Sequence, residues 1–205
     1  MVRAFVAVEI SAEVRQRLAD EQLRLKRLRA RVGWVTPENI HLTLAFLGDV
    51  FPETIAGLGA ALDRAGAETA PFVYAVAGLG YFGSPRSPRL LWAGITDGAE
   101  ALGALQHRVE AVLRELGFTL EDRPFKAHLT FGRVRGASRE AAELAACIDA
   151  APDVACGKVT VEQVLLMRSE LRSAGPIYTV LHAAPLSGAC SPSRLDSHLA
   201  AGLGR

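Results

Sequence analysis

Apolar and polar residues alternate between strand-like and helix-like patterns along the whole chain. A short β-branched apolar run at 3–10 predicts a strand. Ser11 then predicts a helix N-cap, because a serine side chain can accept from the first free backbone N–H groups of a helix. The apolar stripe of that helix consists of Val14, Leu18, Leu25 and Leu28. Gly33 and Pro37 end the helix.

The same criteria divide the rest of the chain into alternating strands and helices. The predicted strands cover 39–47, 72–79, 89–95, 125–134, 159–167 and 177–182, and the predicted helices cover 52–66, 100–116 and 138–149. Gly117 ends the second of these helices, and Ser138 caps the third. The segment GYFGSPRSP at 80–88 is rich in glycine and proline and is predicted to be a loop.

Each half of the chain contains helix, strand and helix in the same order, with paired strands nearby. This order predicts an α+β fold of two pseudo-symmetric lobes, each an antiparallel sheet flanked by helices. We expect a single bilobal domain over 1–185. From about Leu186 the composition changes to serine, glycine and proline, which predicts a flexible tail over 186–205.

Charge and cysteine content limit the possible partners and compartment. The 23 basic and 22 acidic residues give a formal net charge of +1, so an anionic substrate must be held by local groups. Cys147, Cys156 and Cys190 show neither metal-ligand spacing nor a disulfide pattern, which favours a reducing compartment. The first residues do not resemble a signal peptide, and no apolar run is long enough to cross a bilayer. We therefore expect a cytoplasmic protein with no membrane partner.

A repeated tetrapeptide carries the candidate chemistry: HLTL begins at His41 and HLTF begins at His128. Residues two apart on a strand point to the same face, so each histidine shares a face with the threonine that follows it, Thr43 or Thr130. One neutral imidazole can take a proton from water while the other, protonated, gives one to a leaving oxygen. The threonine hydroxyls can donate to a phosphate between them. Displacement at a phosphodiester without a metal needs this set of groups.

A single histidine on an apolar strand is more often an ordinary core residue, so one copy of the motif would be weak evidence. The two copies of the motif also differ in the chemistry of the fifth residue after the histidine, which is Phe46 in the first copy and Arg133 in the second. An aromatic ring suits a nucleobase and a guanidinium suits a phosphate. Strict alternation would place both on the opposite face, so each strand is predicted to contain a β-bulge or to end first; Gly132 favours this in the second copy.

The paired motifs resemble the His-x-Thr-x signatures of the 2H phosphoesterase superfamily, and more closely its RNA 2′,3′-cyclic phosphodiesterases, also called 2′-5′ RNA ligases. The resemblance extends to RAFVAVEI, ENIHLTLAFLGDV, FKAHLTFGRV and LLMRSELRSAGPIYTVL, and so covers about residues 1–184.

That resemblance implies a V-shaped cleft between the lobes, with no metal or other cofactor. It implies that His41 and His128 are catalytic, that Thr43, Thr130 and Arg133 bind phosphate, and that Phe46 stacks on the base. The implied reaction opens an RNA 2′,3′-cyclic phosphate, or that of a cyclic nucleotide, to a 2′-phosphate. His41 would protonate O3′ and His128 would activate water, with the roles exchangeable in ligation. We expect a monomer.

Two other functions remain open from the sequence: 2′-5′ ligation of RNA or tRNA-half ends in the same site, and an RNA-end binding module without turnover. A zinc site on the two motif histidines and a third ligand is disfavoured, because the His-x-Thr spacing lacks a second ligand. His107, His182 and His198 have no partner at ligand spacing. Arg86 and Arg89 in the predicted loop could contact RNA, although such loops are more often simply solvated.

Overall fold

The structure is a computed structural model that describes residues 1–173 and 175–189. Within these ranges the strands are β1 (Val2–Val8), β2 (Val32–Trp34), β3 (Leu42–Val50), β4 (Phe72–Ser84), β5 (Ser87–Ile95), β6 (His128–Val134), β7 (Ala155–Val161), β8 (Gln163–Arg172) and β9 (Gly175–Pro185). The α-helices are α1 (Ala12–Lys26), α2 (Ile55–Ala67), α3 (Ala99–Glu115) and α4 (Arg139–Asp149). Short 3₁₀ turns at Pro37–Asn39 and Pro52–Thr54 precede β3 and α2.

The strands form one antiparallel sheet in the order β7-β4-β5-β6-β3-β1-β8-β9, with β2 paired to β6. Its centre is narrow, because β3 and β6 pair at one position, Leu42 with Leu129. Outward from this junction the two halves match, β3-β1-β8-β9 on one side and β6-β5-β4-β7 on the other. The predicted α+β fold with two pseudo-symmetric lobes is therefore confirmed.

The two halves of the chain exchange strands. The hairpin of β4 and β5 comes from the first half of the chain but joins β6 through β5, whereas β8 and β9 come from the second half but join β1 through β8. Each lobe is thus completed by two strands from the other half of the sequence. Separating the two halves of the chain would break the β1–β8 and β5–β6 ladders, so both halves fold as a single unit.

The helices pack on the face of the sheet opposite the motif histidines. The predicted stripe of α1 is confirmed for Val14, Leu18 and Leu25, which are fully buried. Leu28 lies after the end of the helix at Lys26 and is only half-buried, so its place in the stripe is wrong. The Ser11 hydroxyl accepts from the Val14 backbone N–H at 3.2 Å, as expected of an N-cap. The equivalent cap on α4 is also present, where Ser138 accepts from Ala141.

Several predicted strand boundaries are wrong. The predicted loop at 80–88 is mostly strand, and β4 and β5 turn within Pro85 and Arg86. The predicted strand at 159–167 contains parts of β7 and β8, which meet at Glu162. β2 was not predicted, and the first motif strand begins at Leu42 rather than at 39. Glycine and proline at 80–88 predict a loop, and the apolar run at 159–167 predicts one strand, but pairing with neighbouring strands overrides both local patterns.

The segment predicted to be a tail begins in contact with the body of the protein. Leu186 is buried, and its backbone N–H donates to the Glu162 carbonyl at 2.7 Å. Residues 190–205 lie outside the described ranges, so the flexible tail and the domain limit at 185 stay predictions. Among the helices of the described residues, none combines the length and apolar character that a bilayer span requires.

Candidate active site

The two motifs meet at the junction between the lobes. Extending the single β3–β6 pair by one residue on each side places His41 opposite Thr130 and Thr43 opposite His128. All four side chains are partly exposed, whereas the leucines between them are fully buried on the helix side. The structure therefore brings together the four residues that the repeat singled out.

This register sets the spacing of the four groups. Directly opposite residues of an antiparallel pair have Cβ atoms about 5 Å apart, and diagonal neighbours about 7–8 Å apart. His41 and His128 are the diagonal pair. A phosphate group fits between two imidazoles at that separation, with one threonine hydroxyl beside each of them.

Both imidazoles are oriented by the same hydrogen bond. In each motif the carbonyl two residues before the histidine contacts Nδ1: Asn39 O lies 2.8 Å from His41, and Lys126 O lies 2.6 Å from His128. A carbonyl only accepts, so each Nδ1 carries the proton in the neutral ring. Each Nε2 is then left to take or give a proton on the substrate side.

The predicted bulges are present, at the same position of both motifs. The β1–β3 register skips Leu44, and the β5–β6 register skips Phe131. Each extra residue reverses the alternation that follows it. Phe46 and Arg133 consequently return to the face of the sheet that carries the histidines, as the sequence interpretation required.

Phe46 and Arg133 present different chemistry on this face. The Phe46 side chain is 64% exposed, and its ring centroid lies 6.3 Å from that of Phe5. Arg133 is exposed, and in the sheet its backbone pairs with Leu90 of β5 on one side and with Gly33 of β2 on the other. Within the described residues it forms no salt bridge. The site thus offers an open aromatic ring and an uncompensated guanidinium.

His41 packs against two aromatic rings, and the sequence analysis did not predict these contacts. Its ring stacks on Phe5, with centroids 4.8 Å apart, and meets Tyr178 edge to face at 5.2 Å. Burial among these rings lowers the pKa of His41 below 6.5, and the hydrogen bond to the Asn39 carbonyl opposes that shift. Tyr178 belongs to the LLMRSELRSAGPIYTVL segment, but a strand tyrosine alone gave no signal of its contact.

The Tyr178 phenol lies in the electrostatic field of arginines from both lobes. Burial raises the pKa of its phenol, whereas the positive charges of Arg133 and Arg3 act in the opposite direction. Arg133 comes from β6 and Tyr178 from β9, in different lobes. The guanidinium, the phenol and His41 therefore share one side of the junction.

His128 has a different neighbour. The ring of Phe82, from β4, meets it edge to face with centroids 5.4 Å apart. Lys126, whose carbonyl orients His128, is itself exposed. The two imidazoles thus share one backbone hydrogen-bond pattern but lie in different aromatic surroundings.

We expect Tyr178→Ala to raise the pKa of His41 toward 6.5. Burial disfavours the charged imidazolium, so admitting water beside the ring favours protonation. Histidine proton NMR titration of both proteins measures this directly, with exposed His107 as the internal reference. A His41 pKa that does not rise in Tyr178→Ala would contradict burial as its cause.

The other candidate residues lie away from the junction. His107 is exposed on α3, and His182 Nε2 lies 2.8 Å from Asp63 Oδ1. His198 and Cys190 are outside the described residues. Burial raises the pKa of Cys156 to about 11, and Cys147 contacts Arg24. In residues 1–173 and 175–189, no three histidine, cysteine or acidic side chains are grouped as potential metal ligands.

Comparison with known proteins gives consistent matches over most of the chain. The "LigT like Phosphoesterase" family matches twice, at residues 8–92 and 94–178. The RNA 2′,3′-cyclic phosphodiesterase of Methanothermobacter thermautotrophicus is 37% identical over 178 residues, which are 87% of this chain and 95% of that protein. That of Archaeoglobus fulgidus is 36% identical over 177 residues, 86% of this chain and 96% of the other. A crystal structure of a Thermus thermophilus protein superposes with a TM-score of 0.75 and 34% identity, covering 91% of this chain and 98% of that one.

Proposed function

This chain belongs to the LigT-like phosphoesterases of the 2H superfamily, and we propose that it hydrolyses RNA 2′,3′-cyclic phosphate ends to 2′-phosphates. The observation that carries the proposal is the junction itself, where two oriented imidazoles and two threonines share one face of the sheet. The Methanothermobacter and Archaeoglobus relatives, each named RNA 2′,3′-cyclic phosphodiesterase, align with 87% and 86% of this chain, and the family matches both of its halves, which supports the proposal.

In the proposed reaction water attacks phosphorus and the bond from phosphorus to O3′ breaks. His128 takes the proton of the attacking water through Nε2, and His41 gives a proton to O3′ through its own Nε2. The products are a 2′-phosphomonoester and a free 3′-hydroxyl. Each histidine ends in the protonation state opposite to its starting one, so a proton exchange with solvent resets the site.

The remaining groups hold the phosphate and the base. Thr43 and Thr130 donate to the non-bridging oxygens, and the Arg133 guanidinium compensates the charge that grows there as water adds. Phe46 stacks on the terminal base. These contacts need no metal ion, so we propose that turnover is independent of divalent cations.

The roles of the two histidines can be tested through pH. If His41 is the acid, kcat/KM falls as the pH rises through the His41 pKa, which burial holds below 6.5. Because Tyr178→Ala raises that pKa, the alkaline limb of the profile should move to higher pH in this variant. Movement of the acidic limb instead would assign His41 as the base.

The direct test is incubation of an oligoribonucleotide ending in a 2′,3′-cyclic phosphate with the protein and excess EDTA. We expect a 2′-phosphate end, recognised because a general phosphatase removes the phosphate without prior acid opening of a cyclic ester, whereas a 3′-phosphate-specific phosphatase does not. A 3′-phosphate product would contradict the assignment of O3′ as leaving group. Absence of conversion with tight binding would favour the binding module, and a 2′-5′ linkage to an added 5′-hydroxyl RNA would favour ligation.

Removing either threonine hydroxyl should have a moderate effect. Thr43→Val and Thr130→Val keep the side-chain shape but lose one hydrogen bond to a charged phosphate, worth about 1.5–3 kcal/mol. We expect kcat/KM to fall by about 10- to 150-fold, while Thr→Ser at either position retains most of the activity. Steady-state kinetics on the same RNA measures this, and a valine variant with full activity would remove that threonine from the site.

A further inference from the structure

The hairpin of β4 and β5 carries one wall of the site, and its end at 83–89 lies beyond the strands that flank it. β4 pairs with β7 only over residues 72–77, so its part at 78–84 is paired with β5 alone. Phe82 lies in this extension and contacts His128. The turn at Pro85 and Arg86 is exposed at the end of the hairpin. The extension therefore begins at the candidate catalytic histidine and ends in solvent.

The aromatic surface of the hairpin is fixed in place. The Trp92 indole covers Gly80, where a Cβ would overlap the ring, and it also approaches Gly94. Phe82 packs against Trp92 with centroids 5.7 Å apart. On the opposite face of the hairpin, the Tyr81 hydroxyl donates to Asp149 of α4 at 2.9 Å. Phe82 is half-buried, so part of its ring remains accessible in a fixed orientation.

The hairpin is also positively charged. Arg86 and Arg89 are exposed, and residues 76–95 contain no aspartate or glutamate. Neither arginine forms a salt bridge within the part of the chain that the structure describes. On the helices, by contrast, arginines such as Arg114 and Arg139 pair with neighbouring glutamates. The hairpin thus combines an accessible aromatic ring with two uncompensated cations, the combination that binds single-stranded nucleic acid.

We propose that this hairpin binds the RNA strand on the 5′ side of the terminal nucleotide, an inference that rests on the proposed function. Phe46 occupies the other lobe and would hold the terminal base, which leaves the Phe82 side of the junction for the preceding one. Phe82 stacks on that base, and Arg86 and Arg89 contact the backbone phosphates beyond it. The hairpin thereby makes the enzyme prefer an RNA chain over a cyclic mononucleotide.

A structural alternative is that Phe82 only supports the His128 ring. That role would affect every substrate equally, because His128 would act on each of them. Contacts to the preceding nucleotides instead affect only substrates that contain them. Comparison of substrate lengths therefore separates the two roles.

The experiment measures binding of two probes by the whole protein: a fluorescent single-stranded RNA octamer ending in a 2′-phosphate, and a nucleoside 2′-monophosphate. We expect Arg86→Ser with Arg89→Ser to weaken octamer binding about tenfold at low salt. Each phosphate contact of a single strand contributes about 0.7 to the salt slope, so the slope should fall by about 1.4. Phe82→Leu should weaken octamer binding at least fivefold without changing the slope.

The mononucleotide probe and a control variant complete the design. We expect the two hairpin variants to bind the nucleoside 2′-monophosphate within about twofold of the unaltered protein. Arg17→Ser with Arg108→Ser removes two exposed arginines of α1 and α3 and should change neither probe. Equal weakening for both probes, or unchanged octamer binding in both hairpin variants, would overturn the inference.

These binding measurements are independent of turnover. If the unaltered protein fails to open a cyclic phosphate, the proposed function fails, while the octamer measurement still decides whether the hairpin binds RNA. If the protein turns over both substrate lengths and the hairpin variants show no difference between them, the hairpin inference alone fails.

Discussion

His128→Ala and His41→Ala should each lower kcat/KM on RNA 2′,3′-cyclic phosphate by about 10²- to 10⁴-fold, the usual contribution of one general acid or base. Each imidazole is the group at the junction that can carry a proton to or from the reacting oxygens, and its Nδ1 is held by a backbone carbonyl in both motifs. Substitution by alanine leaves no side chain to replace Nε2.

The double variant distinguishes a shared site from two separate ones. Since both histidines act in one proton-transfer step, losing the second after the first should cost much less than the product of the two effects. His107→Ala removes an exposed histidine of α3 and should retain full activity. Unaltered turnover in either motif variant, measured by conversion of a labelled RNA end, would remove that histidine from the mechanism.

Arg133→Ala should lower kcat/KM by at least as much as loss of a threonine hydroxyl, about 10- to 150-fold, because a hydrogen bond to a charged group contributes about 1.5–3 kcal/mol. The bulge at Phe131 turns Arg133 to the histidine face, and no salt bridge within the described residues competes for it. Steady-state kinetics on the cyclic RNA end measures this loss.

Arg133→Lys tests whether activity depends on the planar, forked shape of the guanidinium in addition to its charge. Lysine keeps the positive charge but cannot bind two oxygens in a planar, bidentate manner. We therefore expect Arg133→Lys to recover only part of the lost activity. Arg108→Ala on the outer helix α3 controls for the change in net charge. An Arg133→Ala variant as active as that control would show that the guanidinium does not touch the substrate.

Local patterns in the sequence were sufficient for much of the fold and for the placement of the candidate site. Caps such as Ser11 and Ser138 depend on neighbours three residues away, so the chain itself reveals them. The bulges could be predicted because Phe46 and Arg133 had to reach the face of the histidines, and the registers confirm both bulges.

Features that depend on distant partners could not be predicted in this way. Gly80 has the residue type expected of a turn, yet it lies in strand β4. The residue there is glycine because the Trp92 ring occupies the space that a side chain would fill. Tyr178 contacts His41 only because β8 pairs with β1 and β9 pairs with β8, across the strand exchange. Neither relation leaves a periodic signal in the sequence, since the partners come from other strands.

The central claim is that the two motifs form one shared site. The structure places His41, Thr43, His128 and Thr130 on one face, and the register makes the two histidines diagonal neighbours. This arrangement is what a two-histidine mechanism on one phosphate requires. Independent sites in each lobe would instead need the two imidazoles to serve different ligands.

A crystal structure with a nucleoside 2′-monophosphate bound tests the shared site most directly. We expect the phosphate between the lobes, with oxygens about 2.6–3.2 Å from Nε2 of both His41 and His128 and within reach of both threonine hydroxyls. A phosphate that contacts only one of the two histidines, or that binds away from the β3–β6 junction, would contradict the account.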